Sequence, residues 1–62
     1  MKNNFRVLLA KRRQSISEFA KISGISRSTL VSFYYERDVD IRLSTIINIA
    51  SHLDVTVDEL IS

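Results

Sequence analysis

The placement of glycine and proline constrains the fold of this chain more than any other sequence feature. Gly24 is the only glycine among 62 residues, and there is no proline. A residue just past a helix end commonly adopts the left-handed conformation, which carries no Cβ penalty only for glycine. Two residues later, Ser26 is a good N-terminal cap, because its hydroxyl can accept from a first-turn N–H. We therefore expect two helices joined at a steep angle by a turn of about three residues, which is a helix-turn-helix.

Apolar periodicity predicts the helix that opens the chain. Phe5, Leu8 and Leu9 have the i, i+3, i+4 spacing of a buried stripe, so a helix is expected from residue 3 or 4 to residue 13. The chain has no cysteine. Since a domain this small buries only about 60% of the surface of its unfolded chain, such stripes have to supply the whole core.

A capping box predicts where the second helix begins. In Ser15-Ile16-Ser17-Glu18 the serine hydroxyl accepts from the Glu18 N–H, and the Glu18 carboxylate reaches back to the Ser15 N–H. This helix ends at Gly24. Its buried residues are expected to be Phe19, Ala20 and Ile22.

Similar signals divide the second half of the chain. A fourth helix is expected to begin near Asp40 or Ser44 and to end near Asp54. Thr56-Val57-Asp58-Glu59 is a second capping box, and Leu60 of the last short helix should close the core. The apolar residues that define the fourth helix are Ile46, Ile47, Ile49, Ala50 and Leu53. The prediction is an all-α fold of five helices, forming a single domain over residues 1–62.

Charge is distributed unevenly along the chain. Residues 1–27 carry seven basic side chains against one acidic one, a formal charge of +6. Residues 28–62 carry two basic against six acidic side chains, a formal charge of −4. A half this basic indicates a polyanionic partner, with the acidic half facing away from it or toward another protein.

The third helix has two chemically different faces. At 100° per residue, Leu30 and Phe33 fall on the side expected to be buried. The residues on the outward side are Arg27, Ser28, Val31, Ser32 and Tyr35. Arginine can bond to guanine through two hydrogen bonds, serine can bond to base edges or phosphates, and valine can contact the thymine methyl group. The N-terminal end of such a helix is the end that reaches bases.

These residues carry a resemblance to a known family. Residues 19–30, FAKISGISRSTL, resemble the LAxxxGVSxxTI core of Cro and repressor-type helix-turn-helix proteins, the xenobiotic-response-element family. Residues 49–60, IASHLDVTVDEL, are similar to that family's closing IAxxLxVSxDEL segment. The two segments stand at the family's spacing and together span most of the chain. The resemblance implies a five-helix, lambda-repressor-like domain that binds double-stranded DNA, usually as a homodimer on an operator.

The resemblance also implies which residues meet DNA. Arg27, Ser28 and Ser32 stand where the family reads bases, and the outward position of Val31 adds it to the base-contacting set. The start of the second helix and the loop before the fourth stand where the family meets phosphates. The residues predicted to contact the DNA backbone are Arg13, Ser15, Ile16, Lys21, Ser26, Tyr35, Arg37 and Arg42.

The chain departs from the family pattern at three places. Ile16 replaces a frequent phosphate-binding glutamine, so contact there has to come from backbone N–H groups at the helix N-terminus. Leu9 and Tyr34 replace a buried Arg and Glu pair, a change that concerns the core. Tyr35-Glu36 replaces an Asn-Gly that often ends the third helix, so we expect this helix to run longer and Tyr35 to approach the sugar-phosphate backbone.

Self-association is expected to be weak. Val55, Val57 and Ile61 offer apolar surface near the last helix, and they are the predicted dimer interface. The function predicted on this basis is that of a Cro-like repressor, bacterial or phage-encoded and cytoplasmic, that binds a roughly palindromic operator. The expected spacing of the two recognition helices is about one DNA turn, ~34 Å.

Other functions are weighed against this one. His52, Asp54 and Asp58 lie close in sequence, but their spacing fits no common metal cluster, so neither a metal nor a cofactor is predicted. No catalytic residues, membrane segment or small-molecule ligand are evident. The rival is a protein-binding module that uses the acidic last helices or the Tyr34-Tyr35 pair on a repressor or toxin partner. An antitoxin that also represses its own operon would combine both.

Overall fold

The fold consists of short helices connected by short turns. The computed structural model describes residues 2–37 and 40–62, and across these ranges there are five helices and no strand. Asp38 and Val39, in the connection before the fourth helix, lie outside these ranges. The helices are α1 (Phe5–Arg12), α2 (Ile16–Ser23), α3 (Arg27–Tyr34), α4 (Leu43–His52) and α5 (Val57–Ile61). The prediction of an all-α, five-helix fold is confirmed.

Three of the helix starts have the predicted side-chain caps. At α2 the Glu18 N–H donates to Ser15 Oγ at 3.1 Å, and the Ser15 N–H donates to Glu18 Oε1 at 2.9 Å. Thr56 and Glu59 form the same reciprocal pair before α5, at 3.1 and 3.2 Å. Ser26 Oγ accepts from the Thr29 N–H at the start of α3. These hydroxyls and carboxylates satisfy N–H groups that a helix start leaves without an intrahelical acceptor.

The start of α4 differs from both predicted starts. Its N-terminal cap is Arg42, whose side chain makes no capping hydrogen bond. Asp40 lies two residues before this cap and Ser44 lies one residue inside the helix. The helix therefore begins without the side-chain acceptor on which the prediction rested, and packing of its apolar face holds it in place.

The helix ends use the left-handed conformation more often than the sequence indicated. Gly24 has φ 74°, as predicted, and Arg13, Glu36 and Asp54 have φ of 54°, 56° and 55°. Helix α3 ends at Tyr34, so the expectation that it runs longer is wrong. It ends because Glu36 adopts the backbone conformation that glycine often supplies at this point.

A single apolar cluster joins the five helices. The buried residues are Phe5, Leu9, Phe19, Leu30, Phe33, Ile46, Ile49, Ala50, Leu53 and Leu60. The Phe5 ring lies at the centre of an aromatic group, 5.4 Å from the Phe19 ring and 5.5 Å from the Phe33 ring between centroids. Leu60 of α5 is fully buried, as expected for a residue that closes the core.

Helix α2 buries a different stripe from the one predicted. Ile22 is 57% exposed, so its expected burial is wrong. The covered positions of α2 are Ile16, Phe19, Ala20 and Ser23, which follow the i, i+3, i+4, i+7 pattern of one helix face. Ile22 lies outside that face. On α4, Ile47 is likewise half exposed, although it was among the apolar residues that defined the helix.

Two asparagines tie the start of the chain to the ends of α3 and α5. The Asn4 N–H donates to the Leu60 carbonyl at 2.7 Å, and the Asn4 amide donates to the Glu59 carbonyl at 2.8 Å. The Asn3 amide donates to the Phe33 carbonyl at 2.9 Å. These bonds satisfy carbonyls near helix ends and fix α3 against α1. None of the helices within residues 2–37 and 40–62 combines the length and apolar character of a membrane span.

Candidate nucleic-acid interface

Helix α3 presents the face that the sequence predicted. Leu30 and Phe33 are buried at 0% and 1% exposure and attach the helix to the core. Arg27 and Ser28 are exposed at its N-terminal end. On the same face Val31 and Ser32 are partly buried, and Tyr35 just beyond the helix is 59% exposed. The predicted base-contacting residues therefore lie on one accessible side, with the arginine at the end that enters the major groove in helix-turn-helix docking.

Arg27 is held by a side chain of the neighbouring helix. Its Nε donates to Ser17 Oγ at 3.1 Å, which joins the first turn of α3 to the first turn of α2. No sequence pattern marks Ser17 as the partner of Arg27, because a helix period does not show which residue of another helix an arginine will meet. The bond leaves both Nη atoms of Arg27 available to a ligand.

The N-terminus of α2 lies beside this pair. Ser15 and Glu18 cap the helix reciprocally, and the Ser15 N–H donating to the carboxylate, with the Ser15 hydroxyl and nearby Lys21, lowers the pKa of Glu18 below its ordinary value. The Ile16 side chain packs partly against the core, so what this residue can offer a phosphate is its backbone N–H. Contact of a phosphate with the Ile16 backbone stays a prediction.

Basic side chains lie before α2 and in its last turn. Arg13 follows α1 and Lys21 lies on α2, and both are exposed. Ser26 is exposed as well, and its hydroxyl also donates to Thr29 Oγ1 at 2.8 Å. These positions suit contacts with phosphate oxygens, which orient a protein on DNA without reading its sequence.

Two tyrosines and an arginine lie in contact at the C-terminal end of α3 and just beyond it. The Tyr34 and Tyr35 rings meet edge to face at 5.0 Å, and the Arg37 guanidinium lies 5.7 Å from the Tyr35 ring centre. Tyr34 also meets the Phe5 ring at 6.2 Å, so it belongs partly to the core while Tyr35 remains accessible. Arg42 is exposed at the start of α4.

A groove between α1, α2 and α3 brings part of this surface together. It has a volume of about 340 Å³, and Ser15, Ile16, Arg27 and Tyr35 line it. Ser17, Tyr34 and Gln14 line it too, and Gln14 Oε1 is buried there without a hydrogen-bond partner among the described residues. Its lining connects the predicted phosphate contacts to the arginine of α3.

Comparison with protein families decides the classification. The family model described as "Cro/C1-type HTH DNA-binding domain" matches residues 4–62. The chain belongs to this family. No curated protein and no solved structure matches it significantly. The family match confirms the predicted resemblance and the lambda-repressor-like fold, and it makes the chain a DNA-binding domain.

The predicted dimer residues of this Cro/C1-type domain are only partly accessible. Val55 and Val57 pack partly against the core, and Ile61 is 37% exposed. Larger apolar exposures lie elsewhere, with Leu43 at 66% and Ile47 at 50% on α4. Dimerisation through α5 therefore stays a prediction.

In the second half of the Cro/C1-type domain, the potential metal ligands His52 and Asp54 lie at the polar end of α4. His52 Nδ1 lies 3.0 Å from the Asn48 carbonyl, and Asp54 faces Arg12 at 3.8 Å. Within the described residues there is no group of three or more potential metal-ligating side chains. His52 thus contacts Asn48 of its own helix and the Phe19 ring of α2, 6.2 Å away between centroids, whereas Asp54 contacts Arg12 of α1.

Proposed function

We propose that the chain is a sequence-specific transcriptional repressor of the Cro type, acting as one domain that occupies an operator and excludes polymerase or a competing regulator. The observation that carries this proposal is the accessible face of α3, with Arg27 and Ser28 at its N-terminal end and no acidic residue along the helix. Membership of a DNA-binding family and the basic character of residues 1–27 support it.

In this proposal α3 lies in the major groove. The Arg27 guanidinium bonds to O6 and N7 of a guanine, and Ser28 and Ser32 bond to neighbouring base edges or phosphates. Val31 lies against a thymine methyl group. The Ile16 and Ser17 N–H groups bind a phosphate, because the helix dipole favours an anion and the capping box occupies the Glu18 N–H but not these two donors.

The remaining contacts follow the strands of the duplex. Arg13 and Lys21 neutralise phosphates near α2, and Arg42 does so where the chain enters α4. Tyr35 packs along the sugar-phosphate backbone with Arg37 against its ring. Such contacts set affinity and orientation, whereas the α3 face sets sequence preference.

Selection of bound duplexes from a random DNA pool tests the function directly. We expect the selected sequences to share a roughly palindromic site. If a dimer neutralises about 6–10 phosphates, its affinity should fall by about three to five powers of ten between 50 and 200 mM salt. Absence of any enriched sequence, or an affinity that salt leaves unchanged, would contradict the proposal.

Two classes of substitution separate base reading from phosphate binding. Arg27→Ala should weaken operator binding by about 1–3 kcal/mol for each half-site and relax preference at one position in each. Lys21→Ala and Arg13→Ala should weaken all sequences alike, and each should reduce the salt slope of a dimer by about 2, since one phosphate contact is lost in each half-site. A uniform loss with Arg27→Ala would instead assign this arginine to a phosphate.

The homodimer is proposed to form through Val55, Val57 and Ile61. The partial burial of the two valines leaves a small apolar surface, which agrees with weak self-association that DNA reinforces. Ile61→Ser should reduce operator binding and leave single half-site binding unchanged. Ile47→Ser is the matched control, since it removes an equally large, more exposed side chain from α4. A tight dimer at nanomolar concentration, measured by sedimentation, would overturn weak association.

A further inference from the structure

The Ser17–Arg27 contact assigns a role to a residue that neither the helix period nor the family resemblance indicated. We infer that Ser17 is a positioning residue for DNA recognition, which holds the Arg27 guanidinium in the orientation that reads a guanine. This inference rests on the proposed function, because it assumes that α3 contacts bases.

The first step is geometric. Ser17 is the second residue of α2 and Arg27 is the first residue of α3, so their hydrogen bond joins the two helix starts across the helix-turn-helix. Both residues line the groove between α1, α2 and α3. The Arg27 side chain therefore lies against α2 before any DNA is present.

The second step is chemical. A guanidinium can form a two-bond contact through its two Nη atoms, or through Nε and one Nη. Because Nε of Arg27 donates to Ser17 Oγ, the edge formed by the two Nη atoms is the one left for a two-bond contact. That edge matches O6 and N7 of guanine. Ser17 thus restricts both the rotamer of Arg27 and the edge that it presents.

The third step concerns the free protein. An arginine side chain has many rotamers in water, and ordering one of them on binding opposes association. A partner that orders the side chain beforehand removes part of this entropy loss for a base in the matching position. A base at any other position gains nothing from it. The bond should therefore increase discrimination more than it increases affinity for DNA in general.

The experiment compares Ser17→Ala with wild type on the selected operator and on the same duplex with one base pair changed. The changed pair is the one at which Arg27→Ala loses its preference. We expect Ser17→Ala to reduce the affinity ratio of the two duplexes by about threefold to tenfold, the range for losing one hydrogen bond. Ser17→Thr, which keeps the hydroxyl, should preserve the ratio.

Matched controls separate positioning from other roles. Ser51→Ala makes the same change at an exposed position of α4 and should leave the ratio unchanged. Adding Ser17→Ala to Arg27→Ala should have no further effect, because no arginine remains to be positioned. In the protein without DNA, the Arg27 Nε–H proton should exchange with water more slowly in wild type than in Ser17→Ala.

Specific outcomes would overturn the inference. An equal effect of Ser17→Ala with and without Arg27 would show that Ser17 contacts DNA independently. An equal loss on both duplexes would make the pair a phosphate clamp, and an unchanged ratio would leave Ser17 without a role in recognition. Each of these results is compatible with a sequence-specific repressor. A wild-type chain that enriches no sequence would instead overturn the proposed function, and this inference with it.

Discussion

The helix end at Gly24 and the ends near Arg13, Glu36 and Asp54 all reverse the backbone through a positive φ, but they are closed differently. At the ends near Arg13, Glu36 and Asp54, the N–H of the left-handed residue donates to the carbonyl three positions before it. The N–H of the following residue donates to the carbonyl five positions before itself. The bonds that do so are Arg13 to Ala10 and Gln14 to Leu9, Glu36 to Phe33 and Arg37 to Ser32, and Asp54 to Ser51 and Val55 to Ala50. This is the pattern of a Schellman motif.

The helix end at Gly24 is closed by a different pair of hydrogen bonds. The Gly24 N–H donates to the Ala20 carbonyl at 2.9 Å, and the following Ile25 N–H donates to the Ser23 hydroxyl at 3.2 Å. The backbone angles differ as well. Gly24 has φ 74° and ψ 8°, whereas Arg13 has φ 54° and ψ 39°, within the small left-handed region that other residues can adopt.

The difference explains why glycine occurs at one of the four ends. A Schellman closure holds φ near 55°, which an L-residue can adopt at moderate strain. The turn into α3 requires an angle pair outside that region, and it has to reach the Ser26 cap two residues later. Glycine therefore marks the end whose geometry sets the angle between α2 and α3. It does not mark every left-handed residue of the chain.

Of the substitutions at these helix ends, that of Gly24 should change the free energy of unfolding most. We expect Gly24→Ala to lower the free energy of unfolding by about 1–2 kcal/mol, from backbone strain. A Cβ at Gly24 would meet nothing within 4 Å, so steric overlap contributes little. Chemical denaturation measures the change. Gly24→Asn is the control, and it should lose less because asparagine tolerates a left-handed backbone.

An intermediate effect is expected at the first Schellman end. Arg13→Gly should be more stable than Arg13→Ala by about 0.5–1 kcal/mol, because glycine relieves strain of about 1–2 kcal/mol but loses more chain entropy on folding. Both variants remove the same charge, so each is the control for the other in denaturation without DNA. An Arg13→Gly protein less stable than Arg13→Ala by about 0.5–1 kcal/mol would show only the entropy cost of glycine, and the moderate strain assigned to the Schellman ends would be wrong.

A smaller effect should distinguish the closing hydrogen bonds. Ser23→Ala removes the acceptor of the Ile25 N–H and should destabilise the protein by about 0.5 kcal/mol, after the better helix propensity of alanine offsets part of the loss. Ser51→Ala is the control, because the carbonyl of Ser51, and not its side chain, accepts at the α4 end. If both variants had the same stability, the hydrogen bond from the Ile25 N–H to the Ser23 hydroxyl would not contribute to the free energy of unfolding.

Helix starts were predictable from sequence to the extent that a side chain makes them. Ser15, Ser26 and Thr56 each supply a hydroxyl that accepts from an N–H in the first turn, and each was located from its residue type and spacing. The start at Arg42 has no such acceptor, so the sequence pointed to Asp40 or Ser44 instead. The outward face of α3 was also predictable, because Leu30 and Phe33 fix the buried side by period.

Features that no residue type or spacing marks were not predictable. The ends at Arg13, Glu36 and Asp54 depend on backbone bonds that any residue type can form, so no composition signal marks them. Exposure of Ile22 depends on which side of α2 the neighbouring helices cover. The Ser17–Arg27 bond depends on the angle between two helices, which the turn at Gly24 sets without any pattern in the residues themselves.

The smallest expected effect concerns the start of the helix that Gly24 ends. The pKa of Glu18 is lowered, chiefly because the Ser15 N–H donates to its carboxylate, so ionised Glu18 stabilises the folded state. A carboxylate whose pKa is lower in the folded state stabilises the protein at pH values above its unfolded-state pKa. This stabilisation is lost as the pH falls through the folded-state pKa. Relative to Glu18→Gln, which keeps the hydrogen-bond acceptor without the charge, wild type should lose stability below pH about 4.5. Denaturation of both proteins between pH 7 and 3 measures this convergence. A difference that stays constant over the range would mean that the charge contributes nothing at the α2 start, leaving the hydrogen bonds of the capping box to hold it.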